Sequence, residues 1–139
     1  MTDLNTTKPT SVDDLMNRIT ETFSRLDLAA WYECFHQPHI ILTPKGGLYA
    51  KTLEECEKNM GASFEKLRQQ GFVKSTLDYH NIKYLNDTTA VVSAVWSRWD
   101  NNNELIQTFG ATYVLNNIDG SWGITFLTTH KPDTVLLPD

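Results

Sequence analysis

The chain has little of what covalent cross-links or clustered metal sites require. Its 139 residues include only two cysteines, Cys34 and Cys56, and these lack the CxxC spacing of redox and zinc motifs. Both fall within helical patterns, which favours buried thiols over a disulfide or a metal pair. A reducing compartment fits this pattern best.

Positive charge and long apolar runs are also scarce. The 17 aspartates and glutamates outnumber the 12 lysines and arginines, which leaves a formal charge of −5. Because phosphate backbones are bound by clustered basic residues, this balance argues against a nucleic-acid partner. No apolar run approaches the roughly 18 residues of a membrane span, and the polar N-terminus lacks a signal-peptide pattern. We therefore expect a soluble, cytoplasmic protein without a membrane partner.

The sequence does contain enough apolar material for one core. Hydrophobic residues make up 40% of the chain and aromatic residues 11%. This content suffices for the core of one domain without disulfides or structural metal ions. Residues 1–10 are polar and end in Lys-Pro-Thr, so we expect a flexible lead there. One domain is predicted over residues 11–131, followed by a C-terminal tail over residues 132–139.

Two helices and a strand are predicted in the first third of the chain. From Ser11, which serves as the cap, apolar residues recur at the three-and-four spacing of an amphipathic helix. Asp27 then caps a short helix over residues 28–35, which Pro38 cannot continue. Residues 39–43 are β-branched and apolar, which indicates a short strand.

A third helix is predicted next, and after it the spacing of apolar residues changes from a helical to a strand-like period. Thr52 and Glu55 form a T-x-x-E capping box, and the helix that they begin ends at Gly71. Four strand-like runs separated by Asn-Asp, Asn-Asn-Asn and Asp-Gly turns come next. They lie at residues 75–85, 89–99, 104–116 and 122–130. Three helices come first along the chain and an antiparallel meander follows them. This order predicts an α+β fold in which the sheet curls around the helices.

Two segments in this order carry a resemblance to a known superfamily. LDLAAWYECFHQPHIILTPKGG and GATYVLNNIDGSWGI resemble the nuclear-transport-factor-2-like superfamily, including its SnoaL-like and ketosteroid-isomerase-like members, and the likeness covers residues 11–130. It implies a cystatin-like α+β barrel, a cone-shaped curved antiparallel sheet of about five to six strands around three N-terminal helices. It also implies a pocket at the open end and a homodimer through the outer face of the sheet. Isomerases, dehydratases, cyclases, hydrolases and binding proteins share this fold, so it implies no single activity.

The resemblance also identifies catalytic residues that the chain lacks. In ketosteroid-isomerase-like members the residue before a proline is an aspartate that shuttles a proton, and here it is Thr43, before Pro44. The oxyanion-donor tyrosine falls on Ile19, and the second, protonated aspartate falls near Ala111 or Thr112. A threonine hydroxyl is neither a useful acid nor a useful base near neutral pH. A steroid isomerase is therefore not expected.

Asp78, His80 and Tyr113 remain as candidates for proton transfer. Asp78 and His80 lie two residues apart on a predicted strand and would share one face. That face is either an acid and base pair towards the cavity or an ordinary hydrophilic surface, and we favour the surface. Tyr113 either directs its hydroxyl into the cavity or bonds to a backbone partner.

The candidates for ligand binding are Trp31, His39, Thr43, Trp96 and Tyr113. Aromatic-rich concave sites are common for small molecules, but core or dimer packing explains the tryptophans of this chain equally well. Arg98 either anchors an anionic ligand or lies at the surface or an interface, and the second interpretation is favoured.

No metal and no cofactor is predicted. His36 and His39 are three residues apart, but Pro38 lies between them at a helix end and a third ligand would have to come from elsewhere. Two hypotheses for function remain. In the first, the protein binds a small, largely apolar organic molecule, with Asp78 and His80 as the proton-transfer pair if it is a lyase, isomerase or hydrolase. In the second, it is a non-catalytic dimerisation or scaffold module.

Overall fold

A computed structural model describes residues 8–134, which form three α-helices and six β-strands. The helices are α1 (Val12–Ser24), α2 (Leu28–Tyr32) and α3 (Leu53–Gln69), and the strands are β1 (Phe35–Thr43), β2 (Gly46–Leu48), β3 (Phe72–Asn86), β4 (Thr89–Asp100), β5 (Leu105–Ile118) and β6 (Ser121–His130). The predicted α+β order is confirmed. Residues 1–7 of the predicted lead and residues 135–139 of the predicted tail lie outside the described residues.

Each helix begins directly after the residue that the sequence predicts as its cap. The side-chain oxygens of Ser11, Asp27 and Thr52 accept hydrogen bonds from the backbone N–H three residues further on, at 3.0, 3.1 and 3.2 Å. Glu55 completes the start of α3 by accepting from the backbone N–H of Lys51 at 3.1 Å, one residue before the cap. These bonds satisfy N–H groups that have no partner inside a helix.

The segment after α1 differs from its prediction. The short helix ends at Tyr32 rather than at residue 35, and β1 begins at Phe35 rather than at residue 39. Phe35 is paired with Ile124 of β6, so pairing with a distant strand determines its conformation. The register of β1 on β6 shifts between Phe35 and Ile40, and this irregularity accommodates Pro38, which cannot donate to a ladder.

The sheet has the order β2-β1-β6-β5-β4-β3 and is curved and unclosed. Strands β3 to β6 form the predicted antiparallel meander. Strand β1 departs from that pattern because it lies parallel to β6. Along the chain, α3 and most of the meander lie between these two strands. The sequence analysis did not predict β2, a three-residue strand that pairs with β1 beyond a tight turn.

The core lies between the helices and the concave face of the sheet. Phe64 of α3 is almost completely buried and packs edge-on against Phe23 of α1, with ring centroids 5.0 Å apart. Phe23 also meets Trp31 and Phe72 at 5.9 Å each, so one aromatic ring joins all three helices to β3. Edge-to-face pairs of this kind add stabilisation beyond the area that they bury.

Both cysteines are buried and carry free thiols. Burial raises the pKa of Cys34 and of Cys56 to about 11. Because the thiolate is the reactive form, neither side chain is a nucleophile at neutral pH. None of the helices within residues 8–134 is long and apolar enough to cross a membrane.

A candidate ligand-binding site

A cavity of about 110 Å³ lies between the helices and the concave face of the sheet. All three helices and every strand except β2 contribute to its lining. Much of the wall is apolar and is formed by Ile19, Phe23, Trp31, Ile41, Met60 and Leu127. The polar groups are fewer and belong to Thr43, Ser75, Trp96, Arg98, Tyr113 and Thr129.

The alternation of strand side chains explains which residues reach the cavity. Phe109, Ala111 and Tyr113 are spaced two apart on β5 and all line it, as expected for one face of a pleated strand. Trp96 and Arg98 follow the same period on the neighbouring β4, where Trp96 is paired with Phe109. The two central strands therefore present one continuous inner surface.

The structure places four of the five predicted binding residues, Trp31, Thr43, Trp96 and Tyr113, in the wall of the cavity. His39 lies outside this wall, in a small neighbouring space next to Trp31. Its ring is 4.7 Å from the ring of Phe35, and its Nδ1 lies 3.0 Å from the carbonyl oxygen of His36. Nδ1 is therefore the donor in this bond, and burial lowers the pKa of the imidazole.

The positions to which the resemblance assigns catalytic groups also lie at the cavity. Ile19, Thr43 and Ala111 line it, whereas Thr112 lies on the opposite face of β5 and bonds to the ring of His130. The Thr43 hydroxyl donates to the carbonyl oxygen of Gly46 at 3.1 Å, so it is engaged in the turn between β1 and β2. The cavity therefore has neutral side chains at these positions.

A buried hydrogen bond joins two polar groups of the wall. Trp96 donates from its indole Nε1 to the Tyr113 hydroxyl oxygen at 3.0 Å. Burial raises the pKa of Tyr113, so its phenol keeps its proton at neutral pH. Of the two alternatives for Tyr113, the structure has the hydroxyl at the cavity with a side-chain partner. Because the hydroxyl oxygen is the acceptor in this bond, its own hydrogen remains as a donor group.

Arg98 corrects an expectation of the sequence analysis, which favoured the surface or an interface. Its side chain lines the cavity, with the guanidinium carbon 4.5 Å from the ring centre of Phe109 and 5.0 Å from that of Phe23. Arg98 shares the inner face with Trp96 because the two are separated by one residue. This spacing was the available signal, but the charge of Arg98 favoured the surface.

The other two tryptophans lie away from the cavity. Trp99 donates from its indole N–H to the Thr76 hydroxyl at 3.0 Å. Trp122 is buried in the core and meets the ring of Tyr84 at 6.1 Å. Two of the four tryptophans, Trp31 and Trp96, therefore line the cavity, whereas Trp122 packs in the core and Trp99 is only partly buried.

Asp78 and His80 do not form a pair on one face, and that expectation was wrong. The pairing of β3 with β4 is irregular between Leu77 and Tyr79, so Asp78 is an extra residue that breaks the period of two. Asp78 accepts hydrogen bonds from the hydroxyls of Thr76 and Ser97.

His80 instead lies opposite Ala94, on the inner face of the sheet, and is exposed near its edge. Neither Asp78 nor His80 lines the cavity. An acid and base pair that acts on a bound molecule is therefore not assembled from these two residues.

His36 and His39, the histidines near Pro38, form hydrogen bonds within the fold. His36 places its Nε2 within 3.0 Å of the carbonyl oxygen of Asn116 and within 2.9 Å of that of Ser121, and so ties β1 to the β5–β6 hairpin. Among residues 8–134, no three His, Cys, Asp or Glu side chains are grouped to hold a metal ion.

Solved structures of similar fold come from several bacteria. An NTF-2-like protein of unknown function from Shewanella oneidensis MR-1 has a TM-score of 0.67 at 17% identity, over 85% of this chain and 94% of that one. An NTF2-like protein with a cystatin-like fold from Novosphingobium aromaticivorans has a TM-score of 0.69 at 12% identity, over 87% and 79%. A protein of unknown function with a cystatin-like fold from Nostoc punctiforme has a TM-score of 0.67 at 14% identity, over 88% and 93%. At these identities the likeness concerns the fold alone.

The family itself follows from the sequence. No curated protein matches the chain significantly. The profile of a family described as NTF2-like protein (DUF6841) matches residues 10–132, nearly the whole chain. The resemblance to the nuclear-transport-factor-2-like superfamily is thereby confirmed, and the chain belongs to the NTF2-like family DUF6841.

Proposed function

We propose that the protein binds a compact, largely apolar organic molecule in the cavity between the helices and the sheet. The observation that carries this proposal is the composition of the wall, in which apolar and aromatic side chains surround a few polar groups. Small-molecule sites commonly have this composition, since the apolar surface supplies affinity and a few polar groups fix orientation.

The volume of the cavity limits the size of the ligand. At about 110 Å³ it is smaller than the roughly 300–1,000 Å³ of drug-sized pockets. It is closer to the cavity of roughly 150 Å³ that holds benzene in another protein. A molecule with one ring, or a branched chain of similar size, is the class that fits.

The lining favours binding over acid and base catalysis. Of the described residues that form the wall, none has a carboxylate or an imidazole. The Tyr113 phenol keeps its proton at neutral pH, because burial raises its pKa. It therefore serves as a hydrogen-bond donor to a ligand rather than as a base.

A pair of neighbouring threonines provides the test. Thr129 lines the cavity, whereas Thr128 lies opposite Thr112 on the other face of β6. Thr129→Phe should fill the cavity and abolish binding of benzamide and toluene, since the ring takes the space of the ligand. Thr128→Phe, the matched control, should bind both probes as the unmodified protein does.

Binding is measured by titration calorimetry and by the quenching of tryptophan fluorescence, because Trp31 and Trp96 lie in the wall. Binding that survives in Thr129→Phe, or an unmodified protein that binds no compact apolar probe, would contradict the proposal.

A dimerisation role is a second candidate, and the outer face of the sheet favours it. Ile40 and Leu42 are 46% and 43% exposed on β1, and they lie beside Phe126 and Thr128 of β6. Neighbouring apolar side chains on one sheet face are typical of a surface that a partner covers. We propose that a second copy of this chain covers it, an arrangement compatible with an occupied cavity on the inner face.

A further inference from the structure

We propose that the ligand of this cavity is an anion, namely a compact monocarboxylate with an apolar, ring-sized body, and that Arg98 binds its carboxylate. This inference rests on the proposed function, because it concerns the same cavity. It adds the charge and the chemical class of the ligand.

The first step is the charge of the wall. Among the described residues that line the cavity, Arg98 is the one side chain that is charged at neutral pH. The other polar groups of the wall are hydroxyls and an indole N–H. The cavity therefore has a single positive centre within a mostly apolar surface.

The second step is the lack of a counter-ion. Within residues 8–134, Arg98 has no carboxylate partner, and the arginines that form ion pairs are Arg18, Arg25 and Arg68. Arg98 donates from Nη1 to the side-chain oxygen of Gln107 at 3.1 Å. Its Nε is buried and has no hydrogen-bond partner.

The third step is the cost of this arrangement. Burial lowers the pKa of Arg98, but an arginine does not lose its proton in proteins, so the charge stays in a partly desolvated site. Contacts with the rings of Phe23 and Phe109 offset part of the cost. An anion that entered the cavity would neutralise the charge and accept hydrogen bonds from the guanidinium.

The fourth step is the body of the ligand. The charge lies next to Phe109 and Phe23, and the rest of the wall is formed by residues such as Ile19, Trp31 and Leu127. A fully hydrated ion such as phosphate would have no partners for most of its surface there. A carboxylate joined to one apolar ring matches both parts of the site.

The experiment compares benzoate, benzamide and acetate by calorimetry at neutral pH. Benzoate and benzamide have the same ring and differ in charge, whereas benzoate and acetate have the same charge and differ in the ring. For the unmodified protein, we expect benzoate to bind at least about tenfold more tightly than benzamide or acetate, which is typical of a hydrogen bond to a charged partner.

Variants test whether Arg98 causes the preference for benzoate. Arg98→Met should bind benzoate and benzamide with similar affinity, and it should fold because methionine keeps an apolar side chain against the rings of Phe23 and Phe109. Arg98→Lys keeps the charge and should retain part of the preference. Arg25→Met, which removes the exposed arginine directly after α1, is the matched control and should keep all of the preference.

The outcomes separate this inference from the function on which it rests. Equal affinity of the unmodified protein for benzoate and benzamide overturns the inference and leaves the binding function standing. A preference for benzoate that persists in Arg98→Met also overturns it, since another group then holds the anion. Failure of both ring compounds to bind overturns the inference and the proposed function together.

Discussion

His39 links the stability of the protein to pH through a single buried imidazole. Burial lowers its pKa in the folded state below the ordinary value of about 6.5. Between these two pKa values the unfolded chain binds a proton that the folded protein does not, so the free energy of unfolding rises with pH. We expect this free energy to fall as the pH drops below about 6.5.

Denaturant unfolding between about pH 5 and pH 8 measures this dependence. His39→Gln should flatten the curve in that window, because the substituted side chain does not titrate. His80→Gln, which removes an exposed histidine, is the matched control. A slope unchanged by His39→Gln would show that other groups cause the pH dependence.

The residues of the cavity were predictable in type but only partly in orientation. Trp31 and Trp96 were predicted because aromatic-rich concave sites are common for small molecules, Tyr113 as a possible donor, and Thr43 through the resemblance, and all four line the cavity. The inward orientation of Arg98 follows from the alternation of strand side chains, yet its charge favoured the surface. Burial of a charge depends on what lies opposite, which local sequence does not contain.

At the scale of elements, two glycines in different surroundings give opposite expectations. Gly61 is in the middle of α3, and a Cβ there would meet nothing within 4 Å. Gly61→Ala should therefore stabilise the protein by about 0.5–1 kcal/mol, because alanine loses less backbone entropy in a helix. Thermal unfolding measures the gain.

Gly110 of β5 is the contrasting case. A Cβ there would lie 2.5 Å from the His130 ring and 2.7 Å from the carbonyl oxygen of Lys131. Gly110→Ala should lower the melting temperature, since the backbone near Lys131 cannot move aside as a flexible side chain can. A stabilising Gly110→Ala or a destabilising Gly61→Ala would contradict this account of the two environments.

Local signals predicted the elements that depend on local bonds. The caps at Ser11, Asp27 and Thr52 were visible because each needs a side chain only three residues from its donor. The bulge at Asp78 was not visible, because it arises from the pairing of β3 with β4. The early start of β1 has the same origin, in the pairing of Phe35 with Ile124.

At the scale of the whole molecule, the outer face of the sheet predicts self-association. We expect a dimer in sedimentation experiments, and Ile40→Glu should shift it towards the monomer because it places a charge among Leu42 and Phe126. Leu85→Glu changes an exposed leucine at the end of β3 and serves as the control. A monomeric unmodified protein at all concentrations, or a dimer insensitive to Ile40→Glu, would contradict the expectation.

The unclosed sheet leaves β3, fifteen residues long, with a neighbouring strand on one side only. Such an edge is a template on which another chain can extend the sheet towards a fibril. Three irregularities in the register, one of them at Asp78, interrupt the row of free backbone groups, and Lys74 and Lys83 add positive charge along it. The bulge at Asp78 that keeps this carboxylate apart from His80 is therefore also a feature that disfavours the addition of another strand at this edge.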